Sequence, residues 1–384
     1  MTSLPQTQDK TTIDRRSCLA QMATILAVDA CPRSVHAKPG STPDINVALI
    51  TEPTASHRTN YLDVLASLTG VRSVAVVDHT GSTFEDSKRR LAGRFNGGFK
   101  DARKMLKAIR PAITVVTTEG HNAPAAVKIA LESGSHVLTE KPSCTSLEQF
   151  EQIADIAKQR QLHLMLAMAT RSSAAIKKAK KLIENNVIGK PYSVNLLWIA
   201  DQTRLKNPAY HKSWLADRKR AGGGKLIFHG VHYLDVIQHL LGEPIHQING
   251  FTQNVGGQPI EVEDSAVVSF RFASGATGTL NTGYYLDRGK QSEIRIWGSH
   301  GWIRLEHQER HPLKWYSTQP DAKRGIQNFN YAGEAGLYDL FFQDAIDSIR
   351  HGSPPPISTS ESLSALRVVF GAYKSTETGR TQTL

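Results

Sequence analysis

A chain of 384 residues, 40% of them hydrophobic, is long enough for two domains with separate cores and is neither fibrous nor disordered. Its formal net charge of +11 is spread over separate segments, so we expect no nucleic-acid partner but attraction for anionic substrates or cell-envelope polymers. Cys18, Cys31 and Cys144 have neither metal-binding nor disulfide spacing, and no apolar run of 18 residues predicts a membrane span.

The first 37 residues have the pattern of a twin-arginine export signal. Arg15-Arg16 precedes a mostly apolar run at 19–28, and Val35-His36-Ala37 has the form of a cleavage site. Such signals export proteins that have already folded, often with their cofactor bound. We expect cleavage before Lys38 and a periplasmic protein. The alternative is an ordinary N-terminal tail, in which case the protein stays in the cytoplasm.

Strand and helix patterns alternate from about residue 44 to residue 168. Apolar runs predict strands, and the segments between them have helical spacing; the runs are 44–50, 73–78, 112–117, 135–139 and 162–167. This alternation predicts a Rossmann-type, doubly wound parallel sheet of the α/β class. Ligands bind such a sheet at the carboxyl ends of its strands.

The turn after the first strand is unusual for a dinucleotide site. It runs from Thr51 to Ser56 without a glycine, and it contains a proline, which has no N–H, and a glutamate near the expected phosphate position. The hydroxyl groups of Thr51, Thr54 and Ser56 remain available for binding phosphate. Asp78, which ends the second strand, is the type of residue that binds the ribose hydroxyls of NAD. Because its carboxylate would repel a 2′-phosphate, we expect NAD rather than NADP.

Residues 169–384 predict a second domain of the α+β class, built on an open, mostly antiparallel sheet. Its predicted strands are 192–198, 265–272, 276–282, 293–297 and 302–305, and its predicted helices are 174–184, 338–350 and 360–376. Few helices remain to cover the other face of this sheet. We therefore expect a homo-oligomer that forms through it.

A polar loop that begins at Asp201-Gln202-Thr203-Arg204 and continues to Trp214 has a composition typical of sugar recognition. Arg204, Tyr210 and Trp214 lie in it. Aromatic faces stack on sugar rings, and donors such as guanidinium bind hydroxyl groups, so we expect these residues to contact a carbohydrate.

Three consecutive glycines at 222–224 precede a predicted helix that begins near Leu226 and ends at Gly242. His229, His232 and Asp235 recur on it every three or four positions and share one face near a glycine-lined entrance. One interpretation is that these ionisable side chains all face a single functional site. The alternatives are partly exposed surface histidines, or a metal site for which no further ligand is evident.

The segment AGGGKLIFHGVHYLD at 221–235 resembles the signature of the Gfo/Idh/MocA family, named for glucose-fructose oxidoreductase and inositol dehydrogenase. A second family motif, Glu140-Lys141-Pro142, lies upstream at the family's usual distance, and the resemblance extends from about Asp44 to the end of the chain. One position departs from the pattern, because Phe228 stands where the family usually has Asp. The resemblance implies an NAD(P)-dependent oxidoreductase that transfers a hydride between a hydroxyl of a sugar or polyol and nicotinamide.

The resemblance also implies a set of site residues. Lys141 would stabilise the alkoxide, with a pKa lowered by a partly dry cleft, and His232 would be the general base, oriented by Asp235 or a nearby carbonyl. The remaining cofactor residues would be Thr118, His121 and Glu140, and the substrate residues would be Arg171, Arg204, Tyr210, Trp214, His229 and Asp235. No metal is expected.

Two other functions stay open for a chain of this fold. One is a glycoside hydrolase or lyase that retains NAD and oxidises its substrate transiently. The other is a non-catalytic sugar-binding relative, which Phe228 and the glycine-free turn favour.

Overall fold

The computed structural model describes residues 42–306, 312–330 and 336–384. The expected signal segment, 1–37, lies outside these residues. Thr42–Leu384 forms one compact unit. No helix among the described residues is both long and apolar enough to cross a membrane.

The first domain is a three-layer α/β sandwich. Its elements are β1 (Ile45–Thr51), α1 (Arg58–Ser67), β2 (Val71–Val77), α2 (Phe84–Leu91), β3 (Phe95–Phe99), α3 (Ala102–Ile109), β4 (Ile113–Thr117), α4 (Ala123–Glu132), β5 (His136–Thr139), α5 (Leu147–Gln159) and β6 (Leu164–Leu166). The six strands are parallel in the order β3-β2-β1-β4-β5-β6. The expected Rossmann-type sheet is therefore confirmed.

The sequence pattern did not predict strand β3. Its residues, Phe-Asn-Gly-Gly-Phe, alternate between partly buried and exposed positions at one edge of the sheet. A strand at the edge of a sheet pairs with only one neighbouring strand and is partly exposed to solvent. Its sequence therefore needs no continuous run of apolar residues. The central strands β1 and β4 have buried side chains along most of their length, which is why their apolar runs were easy to recognise.

The second domain begins with α6 (Ala174–Glu184), β7 (Pro191–Asp201), α7 (Pro208–His211), α8 (Arg218–Ala221) and α9 (Val231–Leu241). It continues with β8 (Ile245–Gln253), β9 (Ser265–Phe272), β10 (Thr277–Leu286), β11 (Lys290–Gly298), β12 (Gly301–Glu306), β13 (Leu313–Ser317) and β14 (Gln327–Asn328). Helices α10 (Leu337–His351) and α11 (Thr359–Thr378) and the short strand β15 (Gln382–Thr383) complete it.

The nine strands form one sheet in the order β14-β13-β12-β11-β7-β10-β9-β8-β15. Among the described strands of this sheet only β7 and β10 pair in parallel, so the expected mostly antiparallel sheet is confirmed. Helices α9 and α11 pack beneath its inner face. Its outer face carries the exposed side chains of Phe251, Val267, Tyr285 and Trp297.

Helix α11 also closes the edge of the first sheet. The hydroxyl of Thr359 accepts a hydrogen bond from the N–H of Leu164 at 3.0 Å, and that of Ser362 accepts one from the N–H of Leu166 at 3.2 Å. These bonds satisfy N–H groups that an edge strand leaves free. The C-terminal helix therefore holds the two sheets together.

Candidate active site

The three glycines pack against protein. Gly222, with φ +80°, ends α8, and a Cβ at Gly224 would overlap the carbonyl oxygen of Glu263. The buried carboxylate of Glu263 accepts hydrogen bonds from the N–H of Gly224 at 2.8 Å, the N–H of Leu226 at 2.9 Å and the hydroxyl of Tyr373 at 2.8 Å. All three glycines are buried, so the expected glycine-lined entrance is wrong.

The helix after the glycines has two parts. Leu226–Gly230 forms one π-helical turn, and α9 follows it and ends at Gly242 with φ +71°. A π turn holds one residue more than an α turn and shifts the side chains that follow. It lies directly before His232.

Lys141 lies at the carboxyl end of β5 with 6% of its surface exposed. Its Nζ donates a hydrogen bond to the carbonyl oxygen of Phe228 at 3.0 Å and lies 4.9 Å from the centroid of that residue's ring. The residue that replaces the family's Asp thus still gives Lys141 one acceptor, from the main chain. Burial lowers the pKa of Lys141, and the charge of Glu140 at 3.7 Å opposes that shift.

Glu140 is held by residues at the start of α1, a contact that the sequence did not predict although it predicted the helix. Tyr61 donates its hydroxyl to the buried carboxylate, and Nδ1 of His57 lies 3.3 Å from it. Burial raises the pKa of Glu140, but the hydrogen bond from His57 and the charge of Lys141 outweigh burial and lower the pKa overall. Glu140 is therefore ionised beside Lys141. Tyr61 appears in the sequence only as one more apolar position of a helix.

His232 is partly exposed, and its Nδ1 is buried without a hydrogen-bond partner among the described residues. Burial lowers its pKa to about 3, and the charge of nearby Lys141 contributes. The imidazole is therefore neutral near pH 7 and able to accept a proton. Asp235 does not orient it, because that carboxylate binds another residue.

Arg171 and Asp235 form a buried ion pair, which corrects their expected role in substrate binding. Nε and Nη2 of Arg171 donate to the two carboxylate oxygens of Asp235 at 2.8 and 2.7 Å, and Nη1 lies 2.6 Å from Glu361. Only 4% of Arg171 and 1% of Asp235 is exposed. Each nitrogen of the Arg171 guanidinium and each oxygen of the Asp235 carboxylate is already hydrogen-bonded in a buried position, so these residues join α9 to α11 rather than face a sugar.

The polar loop divides into two groups. The guanidinium of Arg204 is exposed, lies 5.7 Å from the ring centroid of Tyr210 and donates a long hydrogen bond of 3.5 Å to Tyr284. Trp214 is buried, donates its Nε1 to the carbonyl oxygen of Thr54 at 3.0 Å and meets the ring of Phe228 edge-on. Trp214 therefore joins the two domains, whereas Arg204 stays accessible.

The start of α1 fits a dinucleotide diphosphate. The helix has no side-chain cap and no acidic residue in its first turn, and the buried hydroxyl of Thr51 has no partner among the described residues. Glu52 does not obstruct this position, since its carboxylate accepts hydrogen bonds from the N–H of Glu119 and from Asn122. Free N–H groups at a helix N-terminus bind phosphate without a glycine-rich turn. His57, with φ +57°, makes the turn.

Asp78 directly follows β2, close to its expected place at the end of the second strand, but its own loop engages the carboxylate. It accepts hydrogen bonds from the N–H groups of Thr80 and Thr83, each at 3.0 Å, and from the Thr80 hydroxyl. Burial raises the pKa of Asp78, but these hydrogen bonds outweigh burial and lower it. Asp78 is therefore a fixed negative charge at the carboxyl edge of the sheet.

The loop after β4 is organised by Glu119. Its carboxylate accepts hydrogen bonds from Thr54 at 2.9 Å and from the guanidinium of Arg220 in the second domain. Nδ1 of His121 lies 3.5 Å from it, and the hydroxyl of Thr118 donates to its carbonyl oxygen at 3.3 Å. In this structure the expected cofactor residues Thr118 and His121 contact Glu119. Ser56, another residue expected to bind the cofactor, accepts a hydrogen bond from the Thr117 hydroxyl at its main-chain carbonyl oxygen.

Lys225 is a buried cation that sequence reasoning missed. Only 1% of it is exposed, and its Nζ lies 4.2 Å from the ring centroid of Tyr284 and 5.7 Å from that of Trp198. The signal in the sequence is a lysine placed directly between three glycines and an apolar run. His229 stacks on Trp198 and meets Tyr284 edge-on. Burial and the charges of Lys225 and Lys141 hold the pKa of His229 well below its ordinary value.

The arrangement suits alcohol oxidation. Lys141 supplies a positive charge for a substrate oxygen that loses its proton, and His232 supplies a neutral base for that proton. Bound NAD would supply the oxidant. Among the described residues no group of three or more His, Cys, Asp and Glu side chains is arranged to hold a metal ion, and the carboxylate of Asp235 is engaged by Arg171.

Comparison with known proteins identifies relatives of both domains. Residues 45–168 match the family model described as "Oxidoreductase family, NAD-binding Rossmann fold", and residues 180–384 match "Oxidoreductase family, C-terminal alpha/beta domain". Myo-inositol 2-dehydrogenase of Thermotoga maritima is 23% identical over 286 residues, which are 73% of this chain and 82% of that protein. Levoglucosan dehydrogenase of Pseudarthrobacter phenanthrenivorans is 26% identical over 268 residues, 64% of this chain and 68% of that protein.

Solved structures share the fold. A levoglucosan dehydrogenase in complex with NADH and levoglucosan superposes with a TM-score of 0.79 at 20% identity and covers 88% of this chain and 99% of its own. Both domains of the chain are matched, in the same order. The chain therefore belongs to the Gfo/Idh/MocA family of oxidoreductases, with an NAD-binding Rossmann domain followed by the family's C-terminal α/β domain.

Proposed function

We propose that the protein is an NAD-dependent dehydrogenase that oxidises a secondary hydroxyl of a sugar or polyol. The observation that carries this proposal is that buried Lys141, held by the carbonyl oxygen of Phe228, lies close enough to neutral His232 for its charge to act on the imidazole, at the edge of the sheet where α1 has an open N-terminus. The names of the relatives, for myo-inositol and levoglucosan, support a polyhydroxylated substrate. Those names favour oxidation over the hydrolase or lyase alternative.

The proton path follows from the charges. As the hydroxyl loses its proton to His232, negative charge develops on the substrate oxygen and is stabilised by Lys141. The same negative charge raises the proton affinity of the imidazole, whose pKa without substrate is about 3. Glu140, whose carboxylate lies 3.7 Å from Nζ of Lys141, balances part of the charge of that ammonium.

The test is NADH formation by the purified protein with NAD and a panel of sugars and polyols. We expect Lys141→Met and His232→Ala each to lower kcat by about 10²–10⁴-fold while NAD affinity changes less than threefold, because neither residue is needed to bind the diphosphate. Lys104→Met and His246→Ala are matched controls at exposed positions and should keep full activity. Turnover within a few-fold of wild type in both Lys141→Met and His232→Ala would rule out this site.

We propose that the cofactor is NAD rather than NADP. Asp78 is ionised at the end of β2, where a carboxylate repels a 2′-phosphate. Titration of the same protein with each cofactor gives the ratio of affinities. Equal affinity for the two would mean that Asp78 does not face the ribose.

We also propose that the chain is exported by the twin-arginine route and begins at Lys38 once processed. Cys144 is buried and has no disulfide, which suits an oxidising compartment, because no exposed thiol of the described chain would react there. Intact-mass measurement on the protein from its native host tests this. A cytoplasmic product that retains residues 1–37 would contradict it.

We further propose that two copies associate through the outer face of the nine-stranded sheet. Phe251 is 77% exposed there, and Val267, at 46%, lies beside it on the neighbouring strand. Exposed apolar side chains on an open sheet are typical of an interface between subunits.

A further inference from the structure

A cluster of cations surrounds two aromatic rings beside the catalytic pair. We name it the Lys225 cluster and define it as Lys225, Trp198, Tyr284, Arg204 and Lys290. Trp198 and Tyr284 lie on the neighbouring strands β7 and β10 and point to the inner face of the sheet. Lys225 lies over both rings, and Nζ of Lys290 lies 5.9 Å from the centroid of Trp198.

The ammonium of Lys225 has no acceptor in the part of the chain that the structure describes. Its Nζ is buried and makes no hydrogen bond, and no carboxylate of the described residues lies within ion-pair distance of it. An ammonium group has three donors, and a buried charge without a partner is rare in folded proteins. The aromatic faces attract the cation electrostatically, but they provide no oxygen or nitrogen acceptor for its N–H groups.

The charged groups around Lys225 leave its charge uncompensated. Asp201 is the acid that acts on it, but its carboxylate already accepts hydrogen bonds from the N–H groups of Thr203 and Gly289, each at 3.0 Å. The carboxylate of Glu263 is bound to the glycine backbone and Tyr373, as described above. Arg204 adds a second positive charge, and nearby His229 is neutral.

The cluster is continuous with the catalytic pair. His229 stacks on Trp198 and meets Tyr284 edge-on, and the charges of Lys225 and Lys141 both act on its imidazole, so the Lys225 cluster and the catalytic pair adjoin the same residue. Exposed Arg204 and Lys290 mark the side that is open to solvent. A sugar ring between the catalytic pair and this cluster would place a substituent against Lys225.

We propose that the substrate is an anionic sugar whose carboxylate or phosphate group binds Lys225, and that the exposed positive charge of Arg204 attracts this group to the site. This inference rests on the proposed dehydrogenase function and narrows its substrate class. The unused donors of Lys225 suit the anionic group of such a ligand, and the rings of Trp198 and Tyr284 hold the ammonium in place for it. Burial lowers the pKa of Lys225 to about 7, and a bound anion would restore its charge.

The experiment measures binding by calorimetry to the NAD-saturated protein at pH 6.5. The probes are D-glucose, D-glucuronate and D-glucose 6-phosphate, and the variants are Lys225→Met, Lys225→Arg and the exposed control Lys104→Met. We expect wild type and Lys104→Met to bind one of the acidic sugars at least about tenfold more tightly than glucose. Lys225→Met should lose that preference while its glucose affinity and melting temperature stay close to wild type, and Lys225→Arg should retain part of it.

The outcomes separate this inference from the proposed function. Tighter binding of glucuronate assigns a carboxylate, and tighter binding of glucose 6-phosphate assigns a phosphate. Equal binding of acidic and neutral sugars, no binding of either acidic sugar, or an unchanged preference in Lys225→Met overturns the inference. Because calorimetry does not require turnover, a binding preference without NADH formation would contradict the dehydrogenase proposal alone.

Discussion

The charge of Lys225 makes recognition of an acidic sugar depend on pH near neutrality. Burial lowers the pKa of this lysine to about 7, the charge of Arg204 contributes, and Asp201 opposes the shift. The ammonium is therefore protonated below pH 7 and loses its proton above it. Only the protonated form pairs with an anion, and the carboxylate of a sugar acid stays ionised throughout this range.

We expect the apparent Kd for the preferred acidic sugar to rise about tenfold between pH 6 and pH 8, since the competent fraction of the protein falls by that factor. Calorimetric titration at several pH values measures it. Lys225→Arg supplies the control, because a guanidinium stays protonated and its affinity should be flat with pH. A flat profile in the wild type would show that Lys225 does not titrate on binding.

A second residue-scale prediction concerns the ion pair of Arg171 and Asp235. Asp235→Ala leaves the guanidinium buried with one partner, Glu361, and should lower the free energy of unfolding by about 3–5 kcal/mol. Denaturant unfolding measures this change. The folded fraction should keep a KM close to wild type, because neither residue has a polar atom free for substrate.

The control for this prediction is Glu361→Gln. The Glu361 side chain is 44% exposed, so loss of its charge should cost much less, about 1 kcal/mol or below. If Asp235→Ala instead leaves stability unchanged and raises KM, the sequence-based expectation of a substrate contact is restored.

At the scale of elements, the segment from Gly222 to the π turn depends on the absence of side chains. Alanine at Gly224 would place a Cβ on the carbonyl oxygen of Glu263, whose backbone also accepts the N–H of Lys225. We expect Gly224→Ala to destabilise the protein by about 2–3 kcal/mol, because both sides of the contact are buried backbone. It should also impair turnover, since the displaced turn carries Lys225 and precedes His232.

Gly93→Ala is the matched control for Gly224→Ala. A Cβ added at Gly93 would meet no atom within 4 Å, and the φ of this residue lies outside the left-handed region. The change should therefore leave the melting temperature almost unaltered. Thermal unfolding of both variants decides the point. Equal stability of the two would mean that the segment moves to accept a side chain.

At the scale of the whole molecule, the open sheet face determines assembly. We expect Phe251→Asp to weaken the proposed dimer by at least about tenfold, because it puts a charge into an apolar contact. Ile326→Asp is the control, since Ile326 is 58% exposed away from the strands that carry the patch. Sedimentation velocity over a range of concentrations measures it. A wild type that stays monomeric at every concentration would contradict the proposed interface.

The amino-acid sequence by itself determined the two sheets and most of the elements within them. Apolar runs such as those of β1 and β4 predict buried parallel strands, and helix α6 has the bounds that its pattern predicts. These features depend on periods of two or 3.6 residues, which are local properties of the chain. The motifs around Lys141 and Gly222 likewise identified the family, because both are short and contiguous.

Only the tertiary structure decided which charged groups face one another. Arg171 and Asp235 are 64 residues apart, and Arg220 and Glu119 are 101 residues apart, so no local pattern shows that they pair. Lys225 is distinctive because no acceptor among the described residues reaches its ammonium. This absence is a property of all the segments that pack around the side chain, so it cannot be recognised from the local sequence. The sequence specifies the chemical type of each side chain, but the partners, burial and pKa of that side chain depend on non-local packing.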